Sequence, residues 1–455
     1  MSDTIAAIAT ARGPSAIGIL RLSGDSTCSV LDRVFRPMNG RPMSSQPYRT
    51  MVLGSLLDRD GQLLDNALCV LFGAGSSYTG EISAEIHTHG SPVVLDAGLS
   101  AMFAAGARQA TGGEFTRRAF LNGRLDLMQA EAVVDLIDAE TVEAAHHAAA
   151  QLSGTLSRAV ETVYQDILSV MSRFYAVVDY PDEDIADLER GELRDTLRRS
   201  RLQLEELVAS FSRGQIVKNG LPTVLLGKPN VGKSSLLNAL LGYERAIVTD
   251  IAGTTRDTVE EKLALGNILL RLMDTAGLRN SEDTVEMLGV ARSRAAAGNA
   301  SLALLVLDGS RPLDAEDEEA MLLATAASNA IAVVNKSDLG CCIDLAALQP
   351  RFTAVLSLSA RDGSGIKELC NTIEKLYAHE HTAAGEMLTN ARQVNAASRA
   401  LQAVEAAEES LFSGMTPDVV LTECEHSLEA LNELTGNHVR DDLVETIFSR
   451  FCVGK

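Results

Sequence analysis

One stretch, "VLLGKPNVGKSSLLNAL", constrains this chain more than any other part of its 455 residues. Gly227-x-x-x-x-Gly232-Lys233-Ser234 follows an apolar, strand-like run and opens a helix-like one, the context that a phosphate-binding turn requires. Backbone N–H groups and a helix N-terminus would face phosphate oxygens there. Lys233 would neutralise the β and γ phosphates and Ser234 would ligate Mg2+, with Asn230, Val231 and Ser235 completing the turn. A glycine-rich turn that binds nothing is the competing reading of the same residues.

Three further motifs weigh against that reading. "LLRLMDTAG" ends a strand-like run with Asp274, Thr275, Ala276 and Gly277, where a magnesium-sensing carboxylate and a γ-phosphate amide belong. "IAVVNKSD" ends another with Asn335, Lys336 and Asp338. Asp338 can accept hydrogen bonds from the ring N–H and the exocyclic amine of guanine, an edge that adenine lacks. Charge-assisted bonds contribute about 1.5–3 kcal/mol each, so this one side chain can separate the two bases by orders of magnitude. "LSLSAR" supplies Ser359, Ala360 and Arg361 to close over the base. Together the four motifs specify a GTP-binding domain. The position where switch GTPases carry a water-orienting glutamine is Leu278. Arg256 and Arg279 are candidate charge-neutralising groups, and Glu286 is the other acid nearby.

The flanking sequence gives this domain its setting. Up to about residue 119, runs such as "AIGILRLSG" and "ALCVLFGAG" lie between Gly, Ser and Asp clusters, a strand-and-turn texture. After it, apolar residues recur every three or four positions with almost no breakers, which reads as helix. The expected fold is multidomain α/β. A small α+β N-terminal domain covers 1–119, and an all-α helical domain is split into segments 120–220 and 378–455. A Ras-like P-loop GTPase domain, 221–377, is inserted between the segments. No signal peptide or membrane span is evident, and seven scattered cysteines form no CxxC pair. A cytoplasmic protein is therefore expected. The formal charge of −21 argues against a strong independent grip on nucleic acid. A nucleic-acid substrate would be held largely by a partner.

The motif set, together with "AFLNGRLDLMQAEAVVDLIDA", "LTGNHVRDDLVETIF" and the ending "FCVGK", resembles the tRNA-modifying GTPase family MnmE, also called TrmE, over the whole chain. The resemblance implies a K+-stimulated GTPase that works as a homodimer. With an FAD-dependent MnmG-type partner using NADH, it would add a carboxymethylaminomethyl-type group to C5 of the wobble uridine of certain tRNAs. It implies K+ ligands at Asn230, Thr249, Ile251 and Thr254, Thr255 beside Ser234 on Mg2+, and Glu286 as the group orienting the attacking water. It also implies a pocket for 5-formyltetrahydrofolate or a related folate at Arg21, Glu85, Arg124 and Lys455, with arginine at 124 where lysine is expected. Cys452, the fourth residue from the carboxyl terminus, would take part in the modification chemistry; a frayed tail or a poor prenylation box are the other readings. His87 and His89 share one face of a strand and read as structural. A ribosome-assembly switch and a folate-dependent one-carbon transferase are the alternative functions.

Overall fold

The computed structural model describes residues 3–179, 190–243, 261–273, 298, 300–377, 385–436, 447–448, 451 and 453–454. They form two compact units, one of residues 1–134, 151–204 and 396–455, the other of 135–150 and 205–395. Parts of both helical segments therefore belong to the second unit. Among the described residues no helix is long and apolar enough to cross a membrane.

In the first unit seven strands make one sheet in the order β3-β4-β5-β6-β2-β1-β7. They are β1 (Ile5–Ile8), β2 (Ser15–Ser23), β3 (Phe35–Pro37), β4 (Val52–Leu57), β5 (Leu63–Phe72), β6 (Ser83–Gly90) and β7 (Arg108–Gln109). Helices Thr27–Val34 and Pro92–Ala104 flank this sheet, where Leu20, Leu22, Leu56, Cys69, Ile86, Leu95 and Met102 form the core. Gly18 permits the close approach: a Cβ there would lie 2.7 Å from a methyl group of Leu95. Side chains alternate along a strand, so burying Leu20 and Leu22 turns Arg21 to the opposite face. Register places Arg21 across from Glu85 of β6.

The long helical stretch is interrupted where the sequence reading saw almost no breakers. Helices span Leu127–Ile137, Val142–Leu152 and Thr155–Asp179. The Thr141 hydroxyl accepts from the Ala144 N–H at 3.1 Å, and Gly154 takes φ +83 before the third helix. Thr155–Asp179 packs against Pro417–Thr435, and Arg201 ties to Glu408 at 2.7 Å.

In the second unit six strands run β13-β12-β11-β8-β10-β9. They are β8 (Leu221–Leu226), β9 (Glu261–Leu265), β10 (Ile268–Met273), β11 (Leu302–Asp308), β12 (Asn329–Asn335) and β13 (Ala354–Ser357). All pairs are parallel except β9 with β10. β11, "LALLVLD", is buried along its whole length, as a strand covered on both faces must be. Two apolar clusters accordingly flank this sheet. The loop after β8 leaves the carboxyl edge between β11 and β10, where the winding direction reverses and ligands of such sheets bind.

Candidate functional site

The loop between β8 and helix Lys233–Tyr243 has the backbone that its glycines predict. Gly227 and Gly232 take φ +133 and +102, and Asn230 adopts φ +63 without being glycine. Any Cβ at Gly227 would lie 2.3 Å from the Val306 carbonyl oxygen, and one at Gly232 2.2 Å from Asn335 Nδ2. The Lys233 ammonium donates to the carbonyls of Gly227 at 2.6 Å and Lys228 at 2.8 Å. Burial pushes its pKa down, so the arrival of phosphate charge beside it is favourable.

Asn335, Lys336 and Asp338 follow the end of β12. Asn335 is buried and ties two loops together: its Nδ2 donates to the Val231 carbonyl at 2.8 Å, and its Oδ1 accepts from the Ala360 N–H at 3.0 Å. Lys336 adopts φ +66, a sparsely populated conformation of the kind that clusters at functional sites. Its ammonium meets Asp308 Oδ2 at 2.7 Å. Burial works against the Asp308 charge, but hydrogen bonds from Lys336 and Ser310 outweigh it and hold the carboxyl below its usual range. Asp338 Oδ1 accepts from the Ser359 hydroxyl at 2.9 Å. A cavity of about 660 Å³ opens among Asn230, Gly232, Ser235, Asn335, Lys336, Asp338, Ala360 and Arg361. Its size lies within the range of small-molecule sites.

Three residues of this cavity were not singled out in the sequence: Asn238, Ala239 and Leu339. Asn238 was within reach, because it follows Ser235 by three positions on a helix and so shares its face. Asp308 was not, since its partnership with Lys336 depends on β11 pairing with β12, Asp308 opposite Asn335.

A second cluster lies on the first unit's sheet. Arg21 donates from Nε and Nη2 to Glu85 Oε1 at 3.0 and 2.8 Å and from Nη1 to the Gly454 carbonyl at 3.1 Å. Its guanidinium sits 5.9 Å from the Tyr78 ring centre and 5.7 Å from that of Phe115. His87 Nε2 lies 3.2 Å from the other Glu85 oxygen, and His89 Nδ1 lies 2.9 Å from Asp65. Arg124 lies beside Gly80, where an added Cβ would come within 3.2 Å of its Cγ. The chain terminus is not frayed over its described part. Phe451 and Gly454 are buried, Val453 bridges to Gly112, and Phe451 packs on Phe448 with ring centres 5.2 Å apart.

Eleven expected site residues lie outside the described residues: Thr249, Ile251, Thr254, Thr255, Asp274, Thr275, Ala276, Gly277, Glu286, Cys452 and Lys455. Leu278, Arg256 and Arg279 do as well. Of the expected ion ligands the structure describes Ser234 and Asn230. Both are exposed oxygen donors on the phosphate loop, a chemistry that suits hard cations. Among the described residues no group of three or more His, Cys, Asp or Glu could hold a metal by itself.

A family profile described as "MnmE helical domain" matches residues 127–452, and one described as "GTP-binding protein TrmE N-terminus" matches residues 4–124. The chain is 41% identical over 467 residues to the tRNA modification GTPase MnmE of Heliobacterium modesticaldum, covering 100% of both chains. It is 44% identical over 459 residues to that of Chloroflexus aurantiacus, again covering 100% of both. Against that of Lactiplantibacillus plantarum the identity is 41%, over 100% of this chain and 98% of the relative. With profiles matching residues 4–124 and 127–452 and full-length identity of this order, the chain belongs to the MnmE family of tRNA modification GTPases.

Proposed function

We propose that this GTPase is stimulated by K+ and works as a homodimer. With an FAD- and NADH-dependent MnmG-type partner it installs a carboxymethylaminomethyl-type group at C5 of wobble uridines. The observation that carries this reading is the Arg21–Glu85–Gly454 cluster, which joins the end of the chain to a polar, aromatic-flanked face of the N-terminal sheet. A GTPase acting only as a switch has no need of that junction.

The residues present fit the groups this reading requires. Mg2+ would be held by Ser234 with Thr255, and K+ by Asn230 with Thr249, Ile251 and Thr254. A monovalent cation there supplies the neutralisation of phosphate charge that an arginine supplies elsewhere. On the N-terminal sheet, a carboxylate and a guanidinium beside the Tyr78 and Phe115 rings suit a folate, whose ring has a flat face and a donor edge. Arg124 and Lys455 complete the folate set, and the folate supplies the one-carbon unit. This chain's own groups do the rest. Glu286 orients the attacking water, Lys233 holds the β and γ phosphates, and Asp338 selects guanine. Cys452 acts in the modification chemistry, and GTP hydrolysis gates that chemistry without taking part in it.

The test is mass spectrometry of tRNA nucleosides from a strain lacking the gene, complemented with wild type or Cys452→Ser. GTP turnover of both proteins is followed in K+ and in Na+. Loss of the wobble modification with intact K+-stimulated turnover is expected for the variant. Unchanged wobble uridines in the deletion strain would refute the proposal and favour a ribosome-assembly switch.

A further inference from the structure

Lys228, directly after Gly227 in the phosphate loop, is only 8% exposed. Its ammonium donates to Asp314 Oδ2 at 2.5 Å and meets Asp317 Oδ2 at 2.8 Å. Neither carboxylate is free to follow a moving lysine. Both belong to the capping box that starts helix Ala315–Ala324. Asp314 Oδ1 accepts from the N–H groups of Glu316 and Asp317, and Asp317 Oδ2 accepts from the Asp314 N–H at 3.2 Å. Asp317 is itself buried. The side chain of Lys228 is thus fastened to a helix terminus, and its main-chain carbonyl holds the Lys233 ammonium at 2.8 Å.

We propose that Lys228 is a positioning residue of the GTPase: the clamp on its side chain fixes its carbonyl, which aims Lys233 at the incoming terminal phosphate and so sets the preference for GTP over GDP. Ordering a lysine side chain costs conformational entropy, and here the loop meets that cost before the nucleotide arrives. The benefit falls mainly on the nucleotide with a γ-phosphate, because Lys233 serves the β and γ positions. A merely structural ion pair would support the loop as a whole and affect both nucleotides alike.

The experiment titrates fluorescent GTP and GDP analogues into full-length Lys228→Met, Lys228→Arg and the double variant Lys228→Met/Asp317→Asn, with a thermal melt of each. Lys228→Met alone strands the buried Asp317 charge and will cost stability; the double variant removes that charge and is expected to melt near wild type. It is still expected to bind GTP about tenfold more weakly while GDP affinity changes less than about threefold, within the range that coupled neighbours show. Lys228→Arg, which keeps the charge on the carboxylates, is expected to restore most of the discrimination. Equal losses for GTP and GDP, or wild-type GTP affinity in the stable double variant, would overturn the proposal and leave Lys228 as a structural ion pair.

Discussion

Replacing Gly454 by alanine should release the C-terminal tail from the N-terminal sheet while leaving nucleotide chemistry intact. Gly454 sits at φ +101, where a side chain costs about 1–2 kcal/mol. The added Cβ would also lie 2.4 Å from the Ile8 carbonyl oxygen and 3.2 Å from its carbon. Those atoms belong to β1, a buried strand paired on both sides, so the tail has to move. Moving it breaks the bond from Arg21 to the Gly454 carbonyl, which as a charge-assisted bond contributes about 1.5–3 kcal/mol. Strain and lost bond together reach several kcal/mol, a shift of about a hundredfold or more in the docking equilibrium. Hydrogen exchange of the C-terminal peptide reads this directly. Protection should collapse in the variant, with little change in the global melting temperature or in GTP turnover. Wild-type protection in Gly454→Ala would show that the tail tolerates a side chain there, and the steric argument would fail.

Three other perturbations address separate parts of the molecule. Asp338→Asn should weaken GTP by about a hundredfold and favour xanthosine triphosphate, since one ring-facing acceptor becomes a donor; unchanged GTP affinity in a titration would remove Asp338 from base recognition. Gly232→Ala forces a Cβ to 2.2 Å from Asn335 Nδ2 at φ +102, so GTP affinity should fall at least about tenfold; calorimetric titration with wild-type affinity would contradict the loop geometry. Glu114 is held down to about 2: burial raises its pKa, but bonds from Arg108, the Thr111 N–H and Arg118 outweigh that. Its stabilising contribution is therefore complete above pH 4.5, the group's ordinary value, and drains as pH falls through about 2. Urea unfolding between those limits should show a stability–pH slope that is shallower in Glu114→Gln than in wild type, and equal slopes would refute the assignment.

The sequence by itself placed the phosphate loop after β8, "NKSD" at the end of β12 and "LSAR" after β13, because glycine-rich and short polar motifs that follow apolar runs are local signals. Apolar runs between turn clusters likewise placed β2 and β5, because burial of a strand follows from the local pattern of apolar residues. Tertiary structure alone decided what distant segments do to one another. The Lys228 clamp needs residues 86 and 89 positions away, and the Asp308–Lys336 pair needs a strand register. The long helical stretch breaks at Thr141 and Gly154 through a cap and a left-handed turn, signals weaker than the periodicity around them. The tail is the clearest case. Its local sequence carries no reason for Gly454 to be held, and the place of that residue is set by Arg21, 433 positions earlier, and by the Ile8 backbone that only glycine can approach.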